Sequence, residues 1–377
     1  MERRTHPDPR PERPVVRGSA VVRRRARLVR KYVAPLIANR SPARWSNLLA
    51  SEWHRRRGDA VLSSLPPVVL IDPTNACNLG CPLCPTGQRR QARPVGLMSF
   101  DLYRGLIDEV ARRSYKVVLH NWGEPLLHPR IADMVSYATE RGLATEMSSN
   151  LTTLPDALLS DLVRARLTRL VVSVDGATQE SYESYRRGGD LAAVHGNLAR
   201  LAEAKRRFGS RLPTVEVQTL VMRGNEHELE ALRSQALGLG ADRWEAGFVI
   251  VNTLDPSQVS RWLPTTAAHS RYDLSTLADR LNRPGHRCSW LWRSTVINWD
   301  GTVCPCCNFD RREAELGDLK TSSLSKVWNG EPYQNARRLF RAPSRDVPRG
   351  PLTAGEGLCS WCRGVPRAQS SEQQGVY

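Results

Sequence analysis

Three cysteines close together in the sequence are the residues best suited to chemistry. They form the pattern Cys77-x3-Cys81-x2-Cys84, which directly follows the apolar run Val68–Ile71. Three thiolates at this spacing can bind one face of a four-iron cube, so that one iron is left without a protein ligand. An open metal position can bind a substrate or cofactor, which a closed structural site cannot do.

A zinc knuckle is the alternative interpretation of these cysteines. Structural zinc sites usually combine paired C-x2-4-C units or a mixture of cysteine and histidine. A single C-x3-C-x2-C followed by a long α/β chain fits that pattern poorly. An iron–sulfur cluster is therefore favoured.

Length and composition limit the kinds of protein that could carry this site. The chain has 377 residues, enough for one large domain and a smaller one. No apolar run approaches the ~18 residues that cross a membrane, and the N-terminus lacks the apolar core of a secretory signal. Nine cysteines in clusters, without such a signal, favour metal ligation in a reducing compartment. We expect a cytoplasmic protein.

The net charge of +17 is concentrated at the N-terminus. Residues 1–58 carry sixteen basic side chains against four acidic ones. Such an arm can bind nucleic acid or an anionic membrane surface. No aromatic stacking platform accompanies it, which favours a solvated arm over residues 1–65, partly disordered and then helical.

A strand–helix alternation begins at residue 66. The predicted strands are Val68–Asp72, Lys116–Asn121, Ala144–Ser149, Arg169–Val174, Val215–Val221 and Trp244–Val251. The predicted helices are Phe100–Arg112, Ile131–Arg141, Pro155–Arg166, Leu191–Phe208 and Glu226–Leu239. Such an alternation indicates an α/β fold with a parallel sheet, and six units are too few for a closed eight-stranded barrel. We predict a partial (β/α)6 TIM-like barrel over 66–252 and a linker over 253–287.

The segment after the second strand reads Asn121-Trp122-Gly123-Glu124-Pro125. Together with the cysteine motif, it resembles the radical S-adenosylmethionine (SAM) superfamily and its GGEP motif. The resemblance implies that Cys77, Cys81 and Cys84 hold a [4Fe–4S] cluster whose open iron chelates SAM. It also implies that Gly123 and Glu124 bind the methionyl amino group.

Polar residues after the third and fourth strands extend the resemblance. In the family, residues at these places contact the ribose hydroxyls and the carboxylate of SAM. Carried over to this chain, they are Asn150 and Ser173. Arg186 resembles the family arginine that pairs with the SAM carboxylate, a bidentate task suited to guanidinium, and Arg187 is the alternative.

The remaining cysteines lie near the C-terminus. Their order, Cys288-x17-Cys306 and then Cys359-x2-Cys362 with a hairpin sequence before Cys306, resembles the SPASM/twitch extension of radical SAM enzymes. The resemblance implies a small Cys-rich domain over 288–362, in which these four cysteines hold one auxiliary [4Fe–4S] cluster. A zinc ribbon is the alternative.

Two cysteines, Cys304 and Cys307, are not used by that assignment. Either they pack beside the auxiliary cluster, or one of them is a catalytic thiol that returns hydrogen to a substrate radical. A polar tail follows at 363–377, and we expect it to be frayed.

The resemblance also implies a reaction. A flavodoxin- or ferredoxin-type donor would reduce the SAM cluster, and SAM would be cleaved to a 5′-deoxyadenosyl radical that abstracts hydrogen from the substrate. An oxidising auxiliary cluster would give dehydrogenation, whereas a thiol donor would give epimerisation.

Three substrate classes remain open at this point. The first is a small sugar or aminocyclitol-like molecule, and the second is a ribosomal peptide that is crosslinked or epimerised. Against the second, residues 1–65 lack the strands of a leader-binding domain. The third interpretation, from another class, is an iron–sulfur protein that binds nucleic acid through the basic arm.

Overall fold

The computed structural model describes residues 41–279, 288–308 and 311–340. Most of the predicted basic arm, the ligand candidates Cys359 and Cys362, and the predicted tail lie outside these ranges. Across the part that is described, no helix is both long and apolar enough to cross a bilayer.

One open sheet organises the described chain. Its strands lie in the order β6-β5-β4-β3-β2-β1-β7-β8-β9. In chain order they are β1 Val68–Ile71, β2 Lys116–Leu119, β3 Ala144–Ser149, β4 Arg169–Ser173, β5 Thr214–Val221, β6 Arg243–Phe248, β7 Ser294–Ile297, β8 Thr302–Cys304 and β9 Gly317–Asp318. The six predicted strands all form, pair in parallel and leave the barrel open. The prediction of a partial barrel is confirmed.

Eleven α-helices accompany this sheet in the described residues. They are α1 Pro42–Arg57, α2 Phe100–Val110, α3 Ile131–Glu140, α4 Asp156–Arg164, α5 Gln179–Tyr185, α6 Leu191–Arg207, α7 Leu229–Gly238, α8 Pro256–Trp262, α9 Trp290–Arg293, α10 Leu324–Trp328 and α11 Glu331–Arg338. Ser99 caps α2, because its hydroxyl accepts a hydrogen bond from the Leu102 N–H at 3.2 Å. Gly142 and Gly209 follow α3 and α6 with φ of 71° and 58°, the left-handed conformation that ends a helix.

The two faces of the barrel strands differ in chemistry. Val117 and Leu119 of β2 are fully buried in the core shared with the helices. Since side chains alternate along a strand, Lys116 lies on the opposite, inner face. There its Nζ lies 2.5 Å from Glu146 Oε2, and Arg169 Nη1 lies 2.8 Å from the same oxygen. Ion pairs thus occupy the inner face near the amino ends of β2 and β4.

The C-terminal hairpin continues the barrel sheet. β7 pairs in parallel with β1, and Ile71 lies opposite Ile297. β8 and β9 then add antiparallel strands at the same edge. This edge therefore joins the first strand of the barrel directly to the Cys-rich segment.

The segment predicted as a linker has structure of its own. It contains α8, whose Trp262 is buried in an apolar cluster with Tyr272. The same cluster includes Leu79 and Cys81 from the cysteine loop. Apolar residues of the segment 253–279 therefore pack against the cysteine loop.

Candidate functional site

The predicted site residues lie at the carboxyl edge of the parallel sheet. The loop between β1 and α2 carries the three cysteines of the C-x3-C-x2-C pattern. The segments after β2 and β3 carry Glu124 and Asn150, β4 ends at Ser173, and Arg186 follows the last residue of α5. Catalytic groups of α/β barrels collect at this edge, so the structure brings the predicted residues together where chemistry is expected.

The cysteine loop is a tight turn. Cys81 is buried, whereas Cys77 and Cys84 are half-buried. The Cys84 N–H donates to the Cys81 carbonyl oxygen at 3.2 Å, and the Gln88 N–H donates to the Cys84 carbonyl oxygen at 2.9 Å. A Cβ at Gly87 would lie 2.4 Å from the Cys81 nitrogen. The turn therefore requires glycine at position 87.

Burial raises the pKa of two thiols of this loop, those of Cys77 and Cys81. It raises the pKa of Cys77 to about 11, against a weaker opposing effect of the Leu79 N–H. Burial also raises the pKa of Cys81, and Arg186 opposes that rise, with its Nη1 3.9 Å from the Cys81 sulfur. These thiols therefore bind a cation by exchanging their protons for it.

The donor set fits an iron–sulfur cluster. Within the described ranges, no three His, Cys, Asp or Glu side chains are grouped as one metal ion requires. A four-iron cube does not need its ligands grouped around a single ion, because each cysteine binds a different iron. Three soft sulfur donors on one loop suit that arrangement.

Glu124 is a buried acid that ties the loops together. Its carboxylate accepts hydrogen bonds from the N–H of Asn150 at 2.7 Å and of Leu126 at 3.1 Å. Its own N–H donates to the Ala76 carbonyl oxygen, one residue before the first cysteine. Burial raises the pKa of Glu124, and the hydrogen bond from Asn150 opposes the rise. Glu124 thus positions the ends of β2 and β3 against the cysteine loop.

Gly123 lies where the two loops touch. A Cβ at this position would be 1.9 Å from the Thr74 carbonyl oxygen, so no other residue fits there. Next to it, Asn121 Nδ2 and Trp122 Nε1 are buried donors without a hydrogen-bond partner among the described residues. Buried donors are nearly always satisfied, so these two indicate a place for a polar ligand.

Asn150 and Ser173 are both at the predicted edge. The Asn150 amide donates to Asn78 Oδ1 at 2.8 Å, and the same nitrogen lies 4.0 Å from the Cys77 sulfur. Ser173 is half-buried and pairs in register with Gln218 of β5. Asn150 thus adjoins the cysteine loop, and Ser173 lies on the neighbouring strand.

Arg186 forms an ion pair with the buried residue Asp175, which the sequence analysis did not single out. Its Nε lies 2.6 Å from Asp175 Oδ2, and the Asp175 side chain is fully buried. The other oxygen of Asp175 accepts from the Leu220 N–H at 2.7 Å. Asp175 therefore fixes the guanidinium of Arg186 beside Cys81.

The structure separates the two candidate arginines. Arg186 is partly buried at the site, whereas the side chain of Arg187 is exposed. Arg187 contributes through its backbone, because its carbonyl oxygen accepts from the Gly80 N–H at 2.9 Å. The end of α5 is thereby attached to the cysteine loop at a second point.

Arg93, which the sequence analysis did not single out, joins the cysteine loop to the C-terminal hairpin. Its Nη2 lies 2.5 Å from Glu315 Oε1, and its Nε lies 3.6 Å from Asp300 Oδ2. Its guanidinium also approaches the Cys304 sulfur at 3.9 Å, and Asn298 Nδ2 donates to that sulfur at 3.4 Å. The two cysteine-bearing regions are thus in direct contact.

The C-terminal cysteines differ in exposure. Cys304 is fully buried, and burial raises its pKa to about 11. Cys288, Cys306 and Cys307 are half-buried. Cys304 alone among these four is therefore enclosed within the sheet.

Asp72 and His120 are two further residues that sequence reasoning missed. Burial raises the pKa of Asp72 to about 7, and hydrogen bonds from Gly123 and Trp122 oppose the rise. The Ser148 N–H donates to Nδ1 of His120 at 3.0 Å, which places the proton of a neutral ring on Nε2. For both residues, a usable signal was a polar side chain directly after an apolar strand.

Comparison with known proteins agrees with this geometry. Residues 71–235 match the family model of the radical SAM superfamily, and residues 288–363 match an iron–sulfur cluster-binding domain, SPASM. Radical SAM domains bind SAM and a [4Fe–4S] cluster, and SPASM domains bind auxiliary iron–sulfur clusters. Members of the superfamily draw electrons from a donor.

Two curated relatives resemble most of the chain. The tungsten-containing aldehyde ferredoxin oxidoreductase cofactor-modifying protein of Pyrococcus furiosus is 24% identical over 70% of this chain and 81% of its own length. The PqqA peptide cyclase of Granulibacter bethesdensis is 24% identical over 78% of this chain and 83% of its own length. Several other curated relatives are matched over about half of their length.

A solved structure supports the fold. Streptococcus suis SuiB bound to S-adenosylmethionine superposes with a TM-score of 0.57 at 12% identity, over 78% of this chain and 72% of SuiB. The motifs, the open parallel sheet and the two family matches agree. The chain belongs to the radical SAM superfamily and carries a C-terminal SPASM-type iron–sulfur cluster-binding domain.

Proposed function

We propose that this chain is a radical SAM oxidoreductase that removes hydrogen from a peptide substrate. The observation that carries the proposal is the meeting of the Cys77/Cys81/Cys84 loop with Glu124 and Arg186 at one edge of the sheet. The cluster and SAM, when bound, supply one-electron abstraction of a hydrogen atom.

The residues present fit both groups. Cys77, Cys81 and Cys84 would hold the cluster. Gly123 lets the backbone approach closely, and the unpartnered donors of Asn121 and Trp122 lie beside it. These donors suit a ligand that carries a carboxylate group.

Arg186 suits the carboxylate of such a ligand. Asp175 occupies its Nε, and no described residue accepts a hydrogen bond from its Nη2. The ion pair holds the guanidinium in place before a ligand arrives, which lowers the entropy cost of binding. We assign Asn150 and Ser173 to the remaining polar contacts of SAM.

An apolar cluster also covers part of this edge. Tyr185, Trp262 and Tyr272 are buried in the apolar cluster that contains Cys81. A dry site strengthens the electrostatic interactions within it and prevents side reactions of a radical.

For the auxiliary site we propose one [4Fe–4S] cluster held by Cys288, Cys306, Cys359 and Cys362. This cluster would accept the second electron, so that the net reaction is a two-electron oxidation. Cys304 and Cys307 stay candidates for a hydrogen-donating thiol in the alternative outcome, epimerisation. Cys304 is fully buried beside Arg93, whereas Cys307 is half-buried, so Cys307 is the more accessible of the two.

Relatives support the peptide substrate. The PqqA peptide cyclase that matches 78% of this chain is named for a peptide. The second candidate is a sugar or aminocyclitol-like small molecule, favoured by the six cysteines after residue 287, which suffice for one auxiliary cluster. A nucleic-acid function would depend on the basic arm, most of which lies outside the described residues.

Two further assignments complete the proposal. A flavodoxin- or ferredoxin-type protein would supply electrons, and the enzyme would work in a reducing, cytoplasmic compartment. The thiols of Cys77, Cys81, Cys84 and Cys304 are not engaged in disulfides, as such a compartment requires.

The test uses the full chain, reconstituted anaerobically with iron and sulfide. Candidate peptides and aminocyclitols are incubated with SAM and a chemical reductant, and 5′-deoxyadenosine and substrate mass are measured. The proposal expects a peptide that loses two hydrogen atoms per 5′-deoxyadenosine formed. Oxidation of an aminocyclitol, with all peptides unchanged, would contradict it.

A further inference from the structure

β6 ends the sheet at the side where a closed barrel would have its next strand. Across the described chain it pairs with β5 along Arg243–Phe248 and has no neighbouring strand on its other side. On such an edge, every second residue points its N–H and C=O groups away from the sheet. These groups can form a new ladder with an extended segment.

The carboxyl-terminal end of this edge is apolar and exposed. Phe248 is 42% exposed and Ile250 is 55% exposed, whereas the neighbouring Val249 and Val251 are 2% and 4% exposed. Phe248 is the last residue of β6, and the alternation of exposure continues beyond the strand, so that Ile250 lies on the same side as Phe248. Every second side chain of an added strand would lie beside this apolar row.

This part of the edge also lacks protection against pairing. Natural edge strands usually carry charges or proline, which prevent unwanted strand addition. Arg243 and Glu245 supply charges in the first half of β6, but residues 246–250 contain neither a charged residue nor proline. The exposed edge is thus open to an extended partner only near its carboxyl end.

The same end adjoins the cysteine loop. Val249 and Val251, on the opposite face from Phe248, are buried in one apolar cluster with Leu79 and Cys81. A segment paired along residues 246–250 would therefore extend to the loop that carries the candidate cluster ligands.

We propose that residues 246–250 bind an extended segment of the peptide substrate by strand addition. Aliphatic or aromatic side chains at alternate positions of that segment lie beside Phe248 and Ile250. This inference rests on the proposed function and states how a peptide is held at the site. The occupant is a peptide because a backbone ladder requires regularly spaced amide groups.

The first test is selective retention of peptides. A library of acetylated and amidated peptides, in which threonine alternates with Val, Leu, Ile, Phe or Tyr, is passed over the reconstituted full chain. Retention is compared with the double variant Phe248→Ser/Ile250→Ser. The control is Leu237→Ser, because Leu237 is also 42% exposed but belongs to α7 and not to the strand.

Strand addition predicts a clear order of affinities. Wild type and Leu237→Ser retain the same peptides, and the double variant binds them about tenfold more weakly, since two apolar contacts are lost. Equal retention by wild type and the double variant, including none by either, overturns the proposal.

A second measurement tests the backbone ladder itself. In the best-retained peptide, single amides are N-methylated in turn. Methylation of the amides that face β6 abolishes binding, whereas methylation of the alternate amides preserves it. If the loss of binding does not alternate with the position of the methylated amide along the peptide, the proposal is overturned.

The two proposals fail in different ways. A double variant that oxidises peptides as fast as wild type refutes docking at β6 and leaves the proposed function standing. A wild-type chain that binds peptides in the alternating manner but oxidises none supports docking and refutes the proposed function. Cleavage of SAM without substrate is unchanged in the double variant, because neither residue lies in the proposed SAM site.

Discussion

The buried ion pair between Asp175 and Arg186 gives the sharpest prediction for a single substitution. Asp175 is fully enclosed, and its two oxygens accept from Arg186 Nε at 2.6 Å and from the Leu220 N–H at 2.7 Å. In Asp175→Asn the amide oxygen keeps the bond to Leu220, and the amide nitrogen then faces the Arg186 donor. The substitution removes the pair without changing the volume of the side chain.

The expected cost follows from the burial of both groups. Removal of one partner from a buried pair leaves an uncompensated charge and typically costs about 3–5 kcal/mol. Arg186 is 15% exposed, so water partly solvates it after the change, and we expect about 3 kcal/mol of unfolding free energy to be lost. Affinity for SAM falls as well, because the guanidinium loses its fixed position.

The control is an ion pair of the same composition on the surface. Arg200 lies beside Asp156, and their side chains are 41% and 92% exposed. Exposed pairs contribute up to about 1 kcal/mol, so Asp156→Asn has a small effect. Urea-induced unfolding of both reconstituted variants, followed by fluorescence and circular dichroism, measures the difference. A loss for Asp175→Asn no greater than that for Asp156→Asn would refute the reasoning.

Two further predictions concern the loops that meet the cysteines. Gly123→Ala places a Cβ 1.9 Å from the Thr74 carbonyl oxygen, so the loops separate and bound iron falls, whereas Gly196→Ala in α6 meets no atom within 4 Å and keeps its iron. Iron analysis decides this, and equal iron in both variants would contradict it. Because the folded-state pKa of Asp72 is raised to about 7, ionisation lowers stability as pH rises from about 4 to about 7. The stability of Asp72→Asn relative to wild type therefore increases between about pH 5 and pH 7.5, and a constant difference in urea midpoints would argue against a raised pKa.

The sequence was sufficient to predict the barrel strands and their positions. Strands such as Val68–Ile71 and Arg169–Ser173 are short, β-branched and separated by amphipathic helices, and this local pattern determines their type. It could not show that Ser294–Ile297 pairs with β1, because that contact joins residues more than two hundred positions apart. The Cys-rich segment was thus expected as a separate small domain, although its first strand extends the barrel sheet.

The functional site likewise contains residues that the sequence could indicate and residues that it could not. The spacing of the cysteine motif indicated chemistry by itself, and the resemblance to the GGEP motif indicated a role for Gly123 and Glu124. Arg93 and Asp175 depend on partners in other loops, and an isolated arginine or an Asp-Gly turn carries no such signal. Their roles follow from burial and contact, which appear only after the chain has folded.

The most direct test of the central claim is the iron and sulfide content of the anaerobically reconstituted chain, with Mössbauer spectra. Wild type is compared with the triple variant Cys77→Ala/Cys81→Ala/Cys84→Ala. We expect about eight irons per chain in wild type and about four in the variant, which corresponds to one SAM cluster and one auxiliary cluster. An iron content that is unchanged in the triple variant would contradict the assignment of these cysteines. About four irons in wild type and none in the variant would exclude the auxiliary cluster.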